Sequence, residues 1–220
     1  VGGLDVAGFY APADDISQVG GDWFDAIPLR DGSVALIIGD MAGHDLHAAT
    51  RMGAVRHKLR AIAGDRMAPP AEILERLDAL LAQLAPDDIA TAVYGRLIGA
   101  ADGWSFEWSQ AGHLPPLLVH PDGRSEYLEG PADAPLGATE TSRRSTRREH
   151  LRDGSTIVLY TDGLVERAGE GIDDGLTRLL TASRLVHGLA PAEACAALVE
   201  QVDPARGDDI AILAARLPDG

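Results

Sequence analysis

The sequence predicts an α+β domain in which runs of antiparallel strands alternate with grouped helices, and three observations predict it. Short apolar runs recur along the chain, bounded by Asp-Gly turn signals at 31, 102 and 122. Residues 46–62 and 69–84 switch to apolar spacing of three and four, the mark of one helix face. The helices are grouped between runs of strands, which argues against a parallel doubly wound sheet.

Residues 4–11 and 23–29 read as strands, joined by a polar stretch holding Asp14, Asp15 and Ser17. Asp31-Gly32 turns the chain into five apolar residues, 34–38, which suit a buried strand ending at Gly39-Asp40. Leu46, Ala49, Met52, Val55, Leu59 and Ile62 then line one helix face, which Gly64 ends. Pro69 and Pro70 open a second helix with the stripe Ile73, Leu74, Leu77, Leu80, Leu81 and Leu84. Both stripes read as core packing. Strands return at 90–98, 104–108, 117–120 and 125–128. Residues 130–148, rich in Pro, Gly, Thr and Arg, read as an exposed excursion. Arg143, Arg144, Arg147 and Arg148 make a basic patch there, expected on a solvated loop. A strand at 156–161, helices at 176–182 and 192–202 and a closing strand at 210–217 complete the reading.

With 220 residues and 45% hydrophobic content, the chain suits a single domain spanning 1–220. A formal charge of −15 argues against nucleic acid or an anionic membrane as partner, since both need clustered Lys and Arg. It is compatible with a divalent cation. The one cysteine, Cys195, excludes an intrachain disulfide and a Cys-based zinc cluster, and its Ala-rich helical setting suits a buried structural thiol. No apolar run is long enough to span a bilayer, so no membrane insertion and a cytoplasmic address are expected. The chain begins with Val1, as a piece of a longer protein would.

The chemistry rests on aspartates at strand ends. Asp162 follows five largely apolar residues, as Asp40 does, unlike most other Asp-Gly pairs, for which a hairpin explains everything. Gly20-Gly21-Asp22-Trp23 and Gly207-Asp208-Asp209-Ile210 repeat the arrangement, so Asp22, Asp40, Asp162 and Asp208 read as one site from distant segments. Unpaired carboxylates at buried strand ends are costly unless a cation meets them, and all-oxygen ligation favours Mg²⁺ or Mn²⁺ over zinc. The histidines compete: His44, His47 and His57 lie on or beside the first long helix, and His113 follows Ala111-Gly112. The His44–His47 spacing also occurs in zinc sites, but no HExxH motif is completed. No Gly-x-Ser-x-Gly elbow, P-loop or dinucleotide fingerprint is present.

Six motifs in order carry a resemblance: Val19-Gly-Gly-Asp-Trp-Phe-Asp25, Gly39-Asp-Met-Ala-Gly-His44, Gln110-Ala-Gly-His-Leu-Pro-Pro116, Pro135-Leu-Gly137, Tyr160-Thr-Asp-Gly-Leu-Val-Glu166 and Gly207-Asp-Asp-Ile-Ala-Ile212. Essentially the whole chain resembles the metal-dependent type 2C (PPM-type) serine/threonine protein phosphatases, in their bacterial SpoIIE-like branch. The resemblance implies an α/β sandwich of two antiparallel β-sheets flanked by helices, with two Mn²⁺ or Mg²⁺ ions. It assigns Asp40 to both ions, the Met41 backbone carbonyl as a further ligand, Asp22 to one ion largely through water, and Asp162 and Asp208 to the other. Asp209 is the alternative to Asp208. It further implies hydrolysis by activated water without a covalent enzyme intermediate. The implied substrate is a phosphorylated anti-anti-sigma (STAS-type) protein. A regulatory switch in the helices over 46–84, an N-terminal sensor domain and a homodimer are likewise what the resemblance implies. A catalytically silent pseudophosphatase is the competing reading. Three departures stand out. Ala42 replaces the histidine that eukaryotic relatives place two residues after the bridging aspartate, which leaves His44 and His113 to shape the backbone. Asp45, beside the site, reads as a cap for the next helix. No arginine precedes Arg30, so the metals are expected to carry the phosphate.

Overall fold

The computed structural model describes residues 3–13, 20–43, 46–101, 103–130, 133–139, 143–205 and 207–220. His44, Asp45, Asp14, Asp15 and Ser17, singled out above, lie outside the described residues, as does Asp102.

Two five-stranded antiparallel sheets pack face to face, each covered on its outer side by two helices. One sheet has the order β2-β3-β4-β5-β8, from β2 (Asp22–Pro28), β3 (Val34–Met41), β4 (Ala90–Ala100), β5 (Gly103–Ala111) and β8 (Arg147–Leu151). The other has the order β1-β10-β9-β6-β7, from β1 (Asp5–Ala11), β6 (Leu117–Val119), β7 (Ser125–Tyr127), β9 (Thr156–Tyr160) and β10 (Ile210–Arg216). Helices α1 (Leu46–Asp65) and α2 (Pro70–Leu84) cover the first sheet; α3 (Ile172–Ser183) and α4 (Pro191–Val202) cover the second. This is the sandwich that the resemblance implied. No helix among the described residues is long and apolar enough to cross a membrane.

Three apolar layers explain why the strands lack the usual alternation of apolar and polar residues. Along β3, Val34, Leu36 and Ile38 face the other sheet, while Ala35, Ile37 and Met41 face α1 and α2. Both faces are buried, so a continuous apolar run is what the strand needs. The same parity holds for β9, where Ile157 and Leu159 face the sheet interior while Val158 and Tyr160 face α3 and α4. Cys195 is buried on α4, and burial pushes its thiol up to about 11. That is the inert structural thiol expected.

Two expectations need correction. The stretch 130–148 is not wholly an exposed excursion: β8 begins at its end and pairs with β5. Its arginines do not form one patch. Arg143 is exposed, Arg148 pairs with Glu107, and the Arg144 side chain is fully buried against Asp78 of α2. Composition alone reads Pro, Gly and Arg as solvent-facing; a partner carboxylate on a distant helix overrides that. β3 also extends through Asp40 to Met41, because β2 and β4 supply partners that far.

Burial depth sets the cost of truncation. Leu36→Ala, at 0% exposure, is expected to lower stability by about 2–5 kcal/mol. Leu84→Ala, at 63% exposure, is expected to change it by less than about 0.5 kcal/mol. Urea denaturation of the two variants checks the pair.

Candidate metal centre

Strand parity places the carboxylates. Asp22 stands opposite Asp40 in the β2–β3 register, and Thr91 of β4 stands opposite Asp40 on its other side. Even-numbered residues of β2 and β3 face the other sheet, so Asp22 and Asp40 lie at the open end of the sandwich. Asp25, on the opposite face, instead meets α1: Arg60 Nη1 donates to it at 2.7 and 2.8 Å, and Arg56 Nε at 3.5 Å. From the other sheet, β9 ends at Tyr160, and Asp162 opens a 3₁₀ turn, Asp162–Leu164. Asp208 precedes β10, the neighbour of β9. The turn can sit this close to Asp208 because Gly163 has no Cβ; one there would fall 2.0 Å from the Asp209 carbonyl oxygen.

These groups feel one another. Burial pushes the Asp22 carboxyl well up, and Asp40, Asp162 and Asp209 add repulsion, while the Thr161 hydroxyl beside it partly offsets the shift. Burial also raises Asp40, with Asp162 and Asp208 adding to it and a hydrogen bond from Asp22 opposing. Asp162 is raised by burial, then by Asp208 and Glu166. The four sequence-derived aspartates therefore occupy one electrostatic neighbourhood. Asp162 Oδ1 accepts the Gly163 N–H at 2.9 Å and Asp208 Oδ1 the Asp209 N–H at 2.8 Å, so the next residue's backbone fixes one oxygen of each.

Asp209 is built differently. Its Oδ1 accepts the Ala13 N–H at 2.9 Å and its Oδ2 the Gly21 N–H at 3.1 Å. One oxygen thus holds the backbone just past β1 and the other the backbone just before Asp22, a structural duty that the sequence did not disclose.

A cation fits the donor set. Asp22 Oδ2 is buried with no hydrogen-bond partner, a costly state for a carboxylate unless something positive meets it. Beside it, a Cβ on Gly21 would meet the Met41 carbonyl oxygen at 2.6 Å, Asp40 Oδ1 at 2.9 Å and the Gly43 carbonyl oxygen at 3.1 Å. Glycine keeps open a space onto which three oxygens converge. Among the described residues, no three acidic, imidazole or thiol side chains already form a metal-binding group. Backbone carbonyls and water are donors that hard oxygen-seeking cations accept in the rest of a shell.

The histidines divide. His47 is exposed, and His57 Nδ1 lies 2.6 Å from the Gly53 carbonyl of its own helix, so neither joins the aspartates. His113 braces the site: Nε2 donates to the Tyr160 carbonyl at 3.1 Å and Nδ1 accepts from the Thr91 hydroxyl at 2.7 Å. It thereby ties the rung opposite Asp40 to the strand before Asp162, across the two sheets. Burial lowers its pKa to about 4, which keeps it neutral. Sequence reasoning also missed Arg51 of α1, whose Nη2 donates to the Ala42 carbonyl at 3.0 Å and whose Nη1 lies 3.5 Å from Asp88. Its helical position resembles any other, and only folding brings it onto this loop.

A family model described as Stage II sporulation protein E (SpoIIE) matches residues 30–218. The phosphoserine phosphatase RsbU of Bacillus subtilis is 22% identical over 163 residues, covering 74% of this chain and 47% of RsbU. The solved RsbU and RsbW domains of Rv1364c from Mycobacterium tuberculosis match with a TM-score of 0.87 at 32% identity, covering 99% of this chain and 61% of that one. RsbX, solved in complex with magnesium, matches with a TM-score of 0.72 at 17% identity, covering 97% of this chain and 95% of that one, a likeness of fold. This chain spans less than half the length of the curated relatives it matches.

A raised carboxyl pKa stabilises the fold below the unfolded value, and that contribution is lost as pH rises through the folded value. Without cations, stability is therefore expected to fall from pH 5 to pH 8, because the unfolded chain has released the Asp22 proton while burial holds it on the folded carboxyl up to about 9. Asp22→Asn is expected to melt higher than wild type at pH 8 without cations, by at least about 2 °C, the shift that 1 kcal/mol makes in a chain of this size. The difference should vanish near pH 4, and melting curves across pH check it.

Proposed function

Because the chain belongs to the SpoIIE family of PPM-type serine/threonine phosphatases, we propose that it hydrolyses phosphoserine or phosphothreonine on a protein with Mn²⁺ or Mg²⁺ held by these aspartates. The observation that carries the reading is the unpartnered, buried Asp22 Oδ2, together with the gap at the preceding Gly21 lined by Asp40 Oδ1 and the Met41 and Gly43 carbonyls. Asp40 would serve both ions and the Met41 carbonyl would add a ligand, with Asp22 on one ion and Asp162 and Asp208 on the other. When bound, such ions activate water and neutralise phosphoryl oxygens. Asp209 stays outside the ligand set because backbone amides occupy both its oxygens. Arg51 adds positive charge on the loop at Ala42, where a phosphoryl oxygen can meet it. His113 stays neutral and holds the two carboxylate-bearing edges in register.

RsbU of Bacillus subtilis is a phosphoserine phosphatase, which supports phosphoserine hydrolysis here; the substrate in this reading is a phosphorylated anti-anti-sigma (STAS-type) protein, in the cytoplasm. Residues 1–220 form the single catalytic domain in this reading, with an N-terminal sensor domain and a homodimer as regulatory context.

Hydrolysis of p-nitrophenyl phosphate against Mn²⁺ concentration tests the activity. Asp40→Asn and Asp162→Asn are each expected to lower turnover by about 10²-fold or more, consistent with the several kcal/mol that cation charge stabilisation supplies. Equal rates in all three proteins would sink the site assignment. Mn²⁺ binding without turnover, on this substrate and on a phosphoserine peptide, would favour the pseudophosphatase.

A further inference from the structure

Arg144 sits where two segments meet behind the site. Its Nε and Nη2 donate to Asp78 Oδ2 at 3.0 and 2.6 Å, and its Nη1 to the Ala134 and Gln110 carbonyls at 2.9 and 3.2 Å. Asp78 Oδ1 accepts the Gly137 N–H at 3.0 Å. The same helix is gripped twice more: Glu75 Oε1 accepts the Arg144 N–H at 2.8 Å, and Thr146 Oγ1 accepts the Ala71 N–H at 3.0 Å. The pair thus fastens α2 to residues 133–137 and to the end of β5.

Both fastened segments run to the carboxylate edge. Leu136 and Ala90 exchange two backbone hydrogen bonds, of 2.8 and 3.2 Å, and Ala90 is the rung partner of Met41. The Ala42 N–H reaches the Ile89 carbonyl at 3.1 Å. From β5, Gly112 donates to the Asp133 carbonyl at 2.8 Å, and the next residue, His113, holds Thr91, the rung partner of Asp40. Two short paths of backbone and hydrogen bonds therefore join the ion pair to the backbone of Asp40 and Met41.

A buried ion pair is a poor source of net stability, since apolar residues of similar volume often do as well or better. What a fork of fixed donors supplies is geometry. We infer that Arg144 and Asp78 are positioning residues for the cation site: by holding residues 133–137 and 110–113 against α2, they set where Asp40 and the Met41 carbonyl stand. The inference rests on the cation site proposed above and assigns it a support that touches no cation.

The experiment is Mn²⁺ titration by calorimetry, with melting recorded for every protein. Arg144→Met combined with Asp78→Leu removes the pair; Arg144→Lys keeps the charge and loses the fork. Leu198→Ala, in α4 behind the other sheet, is the control for general destabilisation. The double variant and Arg144→Lys are each expected to bind Mn²⁺ about ten-fold or more weakly, the size seen when the partners of metal ligands are lost. Leu198→Ala should bind within about two-fold of wild type despite melting lower. Should the double variant not fold, Arg144→Lys carries the comparison. Wild-type affinity in the folded Arg144 variants, or an equal loss in Leu198→Ala, overturns the inference and leaves the site standing. A wild-type protein that binds no Mn²⁺ overturns both.

Discussion

Repulsion among carboxylates at one end of the sandwich is the constraint around which the rest of this structure is arranged. Asp22, Asp40, Asp162 and Asp208 come from both sheets, and burial strengthens each charge's effect on its neighbours. Left alone, such a cluster holds protons that it would release in water. A fold that keeps it must be stabilised elsewhere, and here three apolar layers do so. Stability pulls against the cluster at this end of the molecule, and a cation held there would relieve the repulsion.

Holding the cluster in place requires supports that are themselves satisfied. Asp209 spends one oxygen on the backbone just past β1 and the other on the backbone just before Asp22. His113 is neutral and bridges the sheets through one donor and one acceptor. Arg144 and Asp78 fasten the two segments behind the Asp40 rung with no exposed charge on the arginine. None of these side chains needs to meet a substrate. Each ties a strand end or loop to a neighbouring element, and a site of several converging oxygens depends on that.

The parity of two strands links fold and site. Because side chains alternate, Asp22 and Asp40 reach the space between the sheets while Asp25 turns outward to Arg56 and Arg60. A slip of one residue in the β2–β3 register would exchange these roles.

What the sequence determined by itself was what local patterns encode. Apolar spacing marked α1, α2 and the central strands, and six short motifs in order pointed to the family and to Asp22, Asp40, Asp162 and Asp208. Tertiary structure alone decided the rest. Arg144 lies in a polar, Pro- and Gly-rich stretch, and nothing near it in sequence announces a buried partner 66 residues away. Asp208 and Asp209 are adjacent and chemically identical, yet one is backbone scaffold because Ala13 and Gly21 happen to face it. Arg51 carries no motif, and helix placement alone brings it to Ala42. The physical reason is the same in each case: a side chain's environment is set by what packs against it, and those partners are remote in the chain.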